Sequence, residues 1–265
     1  MADWDPALYN RFQDYRAEPV AWILARLPLE PADLVVDFGC GTGENTIELA
    51  RRVTRGRATG IDSSPAMIAR AEQLRATLEP DLRDRVHFVA GDFRTAAADR
   101  AWSIVFSNAA LQWAANHRDL LTRWFRALTP GGRLVVQVPS NHEETAQATL
   151  GELAADASWR DLVGDRETPS HGVGTPEDYR TMLEAIGFVE IDCYYRQFNH
   201  PMESPSAIVE FCRATALRPF LERLPDDRHG EFIEEFTRRL ERAYGTRGPL
   251  IFPFRRLFLW ARRPH

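Results

Sequence analysis

Short apolar runs alternate with helix-compatible segments over residues 33–138. The runs are rich in Val, Ile, Leu and Phe, whereas the segments between them mix apolar and charged residues. Strands that alternate with helices in this way form a parallel sheet with helices on both faces. We therefore predict five strands in this part of the chain, at 34–37, 58–61, 86–93, 102–106 and 133–138.

The regular alternation ends after Pro139. Two more strands are predicted at 188–198 and 257–262, which gives a doubly wound, mostly parallel seven-stranded sheet of the α/β class. Apolar side chains also recur at helical spacing late in the chain, and this pattern favours the packing of a helical cap over a ligand site. These residues are Phe232, Phe236, Leu240 and Tyr244.

The predicted organisation has three parts: a helical lead-in or lid at 1–30, a core formed by 31–198 and 251–265, and a helical cap insertion at 199–250. A break is expected at Pro19 within the first helical segment. Further helices are expected at 146–159 and 176–186.

Three glycines at alternate positions, Gly39, Gly41 and Gly43, follow the first strand and its final acid, Asp37. Backbone N–H groups of such a turn approach a ligand closely, because no Cβ lies in the way. The turn therefore predicts a nucleotide-type cofactor at the carboxyl edge of the sheet. Its spacing differs from the G-x-G-x-x-G of dinucleotide sites, and Glu44 follows it directly, which counts against an NAD-dependent oxidoreductase.

Two further strands end in acids. Asp62 follows the second strand about 20 residues beyond the glycines, where a carboxylate accepts hydrogen bonds from ribose hydroxyls. Asp92 follows the third strand, where it can accept from an exocyclic amine while Phe93 lies against a purine ring. Each acid alone is typical of a solvated loop, but the three acids and the glycine turn in this order favour a cofactor site.

Composition narrows the class of partner. A formal charge of −5 and a pI near 5.9 give no sign of a nucleic-acid binder, and the sequence contains no apolar run long enough to span a membrane. Three widely spaced cysteines fit a reducing cytoplasm and no metal site. We expect a cytoplasmic monomer or weak dimer that acts on a small molecule.

The motifs of residues 33–138 resemble those of the class I S-adenosylmethionine-dependent methyltransferases. The resemblance rests on VDFGCGTG, GIDSS, AGDF and LTPGGRLVV. It implies a Rossmann-like fold and S-adenosyl-L-methionine as cofactor, with Asp62 on the ribose, Asp92 on the adenine amine, Phe93 at the ring edge and Asn108 on the methionine side. The implied cofactor-binding residues are Asp37, Gly39, Cys40, Gly41, Asp62, Ser63, Met67, Asp92, Phe93, Asn108 and Trp113.

Blocks outside this region carry a more specific resemblance over the whole length of the chain. DWDPALYNRF, SNAALQW, VQVPSN, ATALRPFL and RRLFLWARR are similar to the trans-aconitate 2-methyltransferase family. The resemblance implies methyl ester formation on a carboxylate of a small polycarboxylic acid, most specifically trans-aconitate. The alternatives are a carboxyl methyltransferase acting on another acid or on a carrier-protein-bound acyl group, and a non-catalytic protein that senses the cofactor.

A carboxylate acceptor changes what the protein must supply. It is ionised at neutral pH and needs no general base, so we expect no catalytic acid–base residue. Alignment of the acceptor with the methyl group can contribute up to about 7–11 kcal/mol, and arginines are suited to hold the non-reacting carboxylates. The predicted substrate-binding residues are Tyr9, Arg16, His171, Tyr195, Arg218 and Arg256, with Arg255 as the alternative to Arg256.

Overall fold

The computed structural model describes residues 12–95, 101–164, 172–213, 215–246 and 248–265. Seven strands in the described residues form a single sheet. They are β1 (Leu34–Phe38), β2 (Arg57–Asp62), β3 (Val86–Ala90), β4 (Trp102–Asn108), β5 (Leu128–Pro139), β6 (Val189–Met202) and β7 (Leu250–Arg262).

Helices connect the strands, and short 3₁₀ turns at Leu111–Trp113 and Asp226–Arg228 add to them. The helices of the described residues are α1 (Gln13–Leu24), α2 (Glu44–Arg52), α3 (Pro65–Ala76), α4 (Pro80–Arg83), α5 (His117–Ala127), α6 (Thr145–Ala155), α7 (Arg160–Val163), α8 (Pro176–Ile186), α9 (Pro205–Arg213), α10 (Arg218–Leu221) and α11 (His229–Tyr244). No helix in the described ranges combines the length and the apolar character that crossing a bilayer requires.

The strand order is β3-β2-β1-β4-β5-β7-β6, so the first strand of the chain, β1, lies in the interior of the sheet between β2 and β4. The pairs β1–β2, β1–β4, β2–β3 and β4–β5 are parallel. The N–H of Arg263 donates to the carbonyl of Gly132, and the N–H of Ser140 donates to the carbonyl of Arg255. The residue number therefore rises along β5 as it falls along β7, so the β5–β7 pair is antiparallel. These observations confirm the predicted seven-stranded, mostly parallel sheet.

Local signals explain where several helices begin and end. The side chain of Ser64 accepts a hydrogen bond from the N–H of Met67 and caps α3, which has Pro65 in its first turn. Thr175 and Asp178 form a capping box at the start of α8, and Gly187 ends that helix with a φ of 108°. The helix predicted at 176–186 is therefore confirmed residue for residue.

Other elements differ from the prediction. Helix α1 continues through Pro19, although proline lacks the N–H that would reach the carbonyl of Tyr15. Burial of Val20, Ile23 and Leu24 outweighs that lost bond. Strand β7 is also longer than predicted and begins at Leu250.

The chain divides into two compact units. The first contains residues 1–18, 139–173 and 196–256, and the second contains residues 19–138, 174–195 and 257–265. The segment predicted as a cap insertion, 199–250, falls within the first unit. The first unit has its own apolar core, which includes Phe232, Phe236 and Leu240 of the predicted stripe, and the partly buried Tyr244 packs against it. In the second unit, the rings of Phe38 and Trp124 stack at 5.1 Å between centroids.

Candidate active site

The glycine turn after β1 lies against the end of β4 in the second unit. Gly39, Gly41 and Gly43 have φ values of 75°, 54° and 90°, the left-handed region that favours glycine. A Cβ at Gly39 would overlap the Cβ of Ala110, whereas a Cβ at Gly41 would meet nothing within 4 Å. Gly39 is therefore required by close packing, and the backbone at Gly41 borders open space.

Asp62 connects the glycine turn to the end of β2. One carboxylate oxygen accepts from the N–H of Gly41 and the other from the N–H of Ser64, both at 2.9 Å. A carboxylate has about four acceptor positions, so two remain after these bonds. The geometry therefore supplies a fixed acceptor that suits a pair of vicinal hydroxyls.

Asp37 is a buried carboxyl group at the end of β1, with 1% of its surface exposed. The hydroxyl of Thr46 donates to its Oδ2 at 2.6 Å, and Oδ1 has no hydrogen-bond partner among the described residues. Burial raises the pKa of Asp37 to about 7, and the negative charge of Asp62 adds to the rise while Thr46 opposes it.

The turn after β4 contributes two more buried oxygens. Asn108 Oδ1 and Gln112 Oε1 have no hydrogen-bond partner in the described part of the chain, and Gln112 Nε2 donates to the carbonyl of Ala109 at 2.7 Å. Ala109 itself has a φ of 55°, a conformation that costs a non-glycine residue roughly 1–3 kcal/mol and is found most often at functional sites. Gln112 was missed by the sequence analysis, although it stands inside the SNAALQW block.

Three buried side-chain oxygens thus lie at the carboxyl ends of the neighbouring strands β1 and β4. Asn108 Oδ1 and Gln112 Oε1 are acceptors, and Asp37 Oδ1 is an acceptor when its carboxyl group is ionised. Buried acceptors without donors are costly, so a cationic group rich in N–H donors would satisfy them. The α-ammonium of a methionine-derived cofactor carries three such donors, and the residues present therefore fit this cofactor.

Asp92 follows β3 and holds an ion pair that the sequence analysis missed. The guanidinium of Arg94 donates to both carboxylate oxygens at 2.7–2.9 Å, and the Arg94 N–H donates to Oδ1 at 2.9 Å. These hydrogen bonds lower the pKa of Asp92 below its usual value. Each carboxylate oxygen thus accepts two hydrogen bonds from Arg94, so an exocyclic amine would have to share or replace one of them. An arginine two residues after the acid was the signal available in the sequence.

The remaining predicted cofactor residues have varied surroundings. Phe93 is 9% exposed, and its ring centroid lies 6.5 Å from that of Trp124, so most of the Phe93 side chain packs in the core. Cys40 is buried, and burial raises the pKa of its thiol. Ser63 is exposed and Met67 is half-buried, whereas Trp113 is 57% exposed on the 3₁₀ turn after β4.

The predicted substrate residues are distributed over both units, and Tyr9, His171 and the side chain of Arg16 lie outside the described residues. Tyr195 belongs to the second unit and is 37% exposed. Arg218 belongs to the first unit, where its exposed side chain forms an ion pair with Glu222 at 2.8 Å. Arg256, also in the first unit, is 5% exposed.

Comparison with known proteins places this geometry in a family. A profile of the methyltransferase domain matches residues 35–132. Trans-aconitate 2-methyltransferase of Paracidovorax citrulli is 39% identical over 267 residues, which cover 99% of each chain. The chain belongs to the trans-aconitate 2-methyltransferase family. The members from Shigella dysenteriae and Streptomyces avermitilis are 38% and 35% identical, with 99% of this chain and 99% and 98% of theirs covered.

Solved structures show the fold of this family member. The YcgJ protein of Bacillus subtilis has a TM-score of 0.63 at 16% identity, with 94% of this chain and 99% of that chain covered. Phosphoethanolamine N-methyltransferase 2 of Haemonchus contortus, solved with S-adenosylhomocysteine, has a TM-score of 0.58 at 19% identity, with 94% of this chain and 53% of that chain covered. Together with the strand order, these neighbours confirm the Rossmann-like class I methyltransferase fold.

Proposed function

We propose that this protein transfers a methyl group from S-adenosyl-L-methionine to a carboxylate of trans-aconitate, forming a methyl ester. The full-length relationship to the trans-aconitate 2-methyltransferases, at 35–39% identity, carries the proposal. The buried acceptor oxygens at the ends of β1 and β4 support it, because they suit a cationic cofactor.

Named residues would hold each part of the cofactor. Asp62 suits the ribose hydroxyls, since both its oxygens are already oriented by backbone N–H groups. Asp92 suits the adenine amine as an acceptor that the amine would share with Arg94. Asp37, Asn108 and Gln112 suit the methionine portion, because their buried oxygens lack donors among the described residues.

When bound, the cofactor supplies an electrophilic methyl group on a sulfonium. The protein has to orient an acceptor that is already ionised, exclude water and leave the reacting oxygen without a strong cation. We infer that Arg256 and Arg218 hold non-reacting carboxylates, that Tyr195 lines the acceptor site, and that no general base takes part. Tyr9, Arg16 and His171 stay predictions from the sequence.

We further infer that the protein is a cytoplasmic monomer or weak dimer that does not bind nucleic acid. Size-exclusion chromatography with light scattering tests the oligomeric state. The net charge of −5 supports the expectation about nucleic acid, because phosphate backbones bind basic surfaces.

The deciding experiment is methyl transfer from labelled S-adenosylmethionine to a panel of di- and tricarboxylates, scored as base-labile methyl ester. We expect turnover on trans-aconitate well above that on cis-aconitate, citrate and isocitrate. Cofactor binding without transfer to any acid of the panel would refute the acceptor and leave the cofactor site standing.

A further inference from the structure

A tyrosine and a histidine of the second unit form a hydrogen bond between two helices. Tyr179 Oη lies 2.6 Å from Nδ1 of His117, and the two rings stack with centroids 5.8 Å apart. Tyr179 is 1% exposed in the first half of α8, whereas His117 is the first residue of α5. A hydroxyl group can donate or accept, so this bond forms with either tautomer of a neutral imidazole.

The same two helices also meet through a second pair of rings. Phe125 of α5 contacts Phe188, just after α8, edge to face with centroids 4.8 Å apart. This apolar contact attaches α5 to α8, but apolar burial is not directional. A hydrogen bond fixes both a distance and an angle. The bond between Tyr179 and His117 therefore adds precision to a contact that apolar packing already makes.

The ring of His117 also interacts with the turn that precedes it. Burial lowers the pKa of His117, and hydrogen bonding to the backbone of Ala114 and Leu111 opposes that shift. The 3₁₀ turn Leu111–Trp113 begins at one of these residues and ends just before the other. Hydrogen bonds thus run from Tyr179 through the imidazole to both ends of the turn.

This turn carries Gln112, whose side chain is held by one of its two polar atoms. Nε2 donates to the carbonyl of Ala109 at 2.7 Å, and Oε1 is buried with no hydrogen-bond partner among the described residues. On the strand side, the N–H of Ala109 donates to the carbonyl of Gln137 on β5 at 2.8 Å. The sheet therefore fixes one side of the turn, and His117 fixes the other.

We propose that Tyr179 and His117 are a positioning pair that holds the Leu111–Trp113 turn so that Gln112 Oε1 accepts from the ammonium group of the cofactor. The proposal deepens the proposed function and rests on its cofactor part. Both side chains act through Gln112 and take no part in the methyl transfer itself. Displacing the turn would weaken the hold on the methionine portion and leave the contacts to adenine and ribose, which come from the ends of β3 and β2, in place.

Two ligands measured by calorimetry on the full-length protein separate these contacts. S-adenosylhomocysteine carries the ammonium and carboxylate groups, whereas methylthioadenosine has the adenine and the ribose without them. Tyr179→Phe removes one hydroxyl and keeps the ring. We expect this variant to raise the Kd for S-adenosylhomocysteine about fivefold, and to leave the Kd for methylthioadenosine within about twofold of wild type. His117→Phe, which removes both ring nitrogens, should give the same difference between the ligands.

Tyr194→Phe is the matched control, because Tyr194 belongs to the same unit and its hydroxyl accepts from Trp22 Nε1 at 3.2 Å. Its Kd values for both ligands should equal those of wild type. Gln112→Met removes the acceptor itself and should raise the Kd for S-adenosylhomocysteine about tenfold, the effect of one lost hydrogen bond to a charged group. Adding Tyr179→Phe to that variant should raise this Kd by less than about twofold more, because the pair acts through the same oxygen.

Several results would overturn the positioning role. Equal weakening of both ligands by Tyr179→Phe or His117→Phe would indicate general damage to the unit, and unchanged Kd values for both ligands would show that the turn does not depend on the pair. Independent, fully additive effects of Gln112→Met and Tyr179→Phe would also contradict it. Binding of S-adenosylhomocysteine by a wild type that methylates no polycarboxylate would refute the proposed acceptor alone, and the two Kd values would still decide the role of the pair.

Discussion

Replacing Asp37 by Asn isolates the effect of one buried charge on the stability of the cofactor-free protein. The carboxyl group is 1% exposed, and its pKa is raised from 3.8 to about 7 by burial. Asn has nearly the same shape, keeps a carbonyl oxygen for the Thr46 hydroxyl and carries no charge at any pH. The variant therefore differs from wild type mainly where Asp37 is ionised.

The sign of the effect follows from proton binding. From pH 3.8 to about 7 the folded state holds a proton that the unfolded chain has released. Stability therefore falls as pH rises through this window and levels off above it. At about 1.36 kcal/mol per unit, the whole window amounts to about 4 kcal/mol, of which about 2 kcal/mol lies above pH 5.5.

Urea unfolding of both proteins at about pH 5.5 and about pH 8.5 measures this pH-dependent contribution of Asp37 to the free energy of unfolding. We expect the free energy of unfolding of Asp37→Asn, relative to wild type, to rise by about 2 kcal/mol between the two conditions, or about 4–8 °C in Tm. Other titrating groups are common to both proteins and cancel in the comparison. The reasoning is refuted if the difference between the two proteins is the same at both pH values.

Three further predictions concern the cofactor site. Asp62→Ala should raise the Kd for S-adenosylhomocysteine at least about 100-fold in calorimetry, because two ribose hydroxyls lose a charged acceptor; a change below about fivefold would remove Asp62 from the site. Arg94→Ala should shift the acid limb of cofactor binding to higher pH, because Asp92 loses the partner that lowers its pKa; coincident pH profiles of binding in variant and wild type would contradict this. Gly39→Ala should destabilise the fold, because the new Cβ overlaps Ala110. Gly41→Ala should lose only about 1 kcal/mol of stability but should weaken cofactor binding more than Gly39→Ala does. Thermal melts and cofactor titrations in which the two variants behave alike would disprove this.

Much of the second unit could be predicted from the sequence, because its signals are local. Apolar runs bounded by glycine or acids reveal strands β1 to β4, and Ser64 and Thr175 mark helix starts through side-chain caps that act within four residues. Parallel strands deliver their carboxyl ends to one edge, so Asp37, Asp62 and Asp92 could be assigned to that edge before any contact was known.

The partners of those residues depended on tertiary structure. The sequence predicted Asp92 as an acceptor, but only the fold shows that Arg94 already donates to both of its carboxylate oxygens. Likewise, the sequence contains Arg255 and Arg256 as neighbours with no means of separating them. Alternation along β7 sends one to Glu143 and buries the other beside Phe254, a difference that arises from strand pairing.

By itself, the sequence determined the order of strands and helices, the glycine turn and the kind of chemistry at the sheet edge. These depend on backbone preferences and side-chain types within short stretches of chain. Tertiary structure decided which polar atoms are buried without hydrogen-bond partners among the described residues: side-chain oxygens around the glycine turn, and a nitrogen atom each of Asn141 and His200. Such atoms arise where residues distant in sequence pack together and exclude water, so no local pattern reveals them.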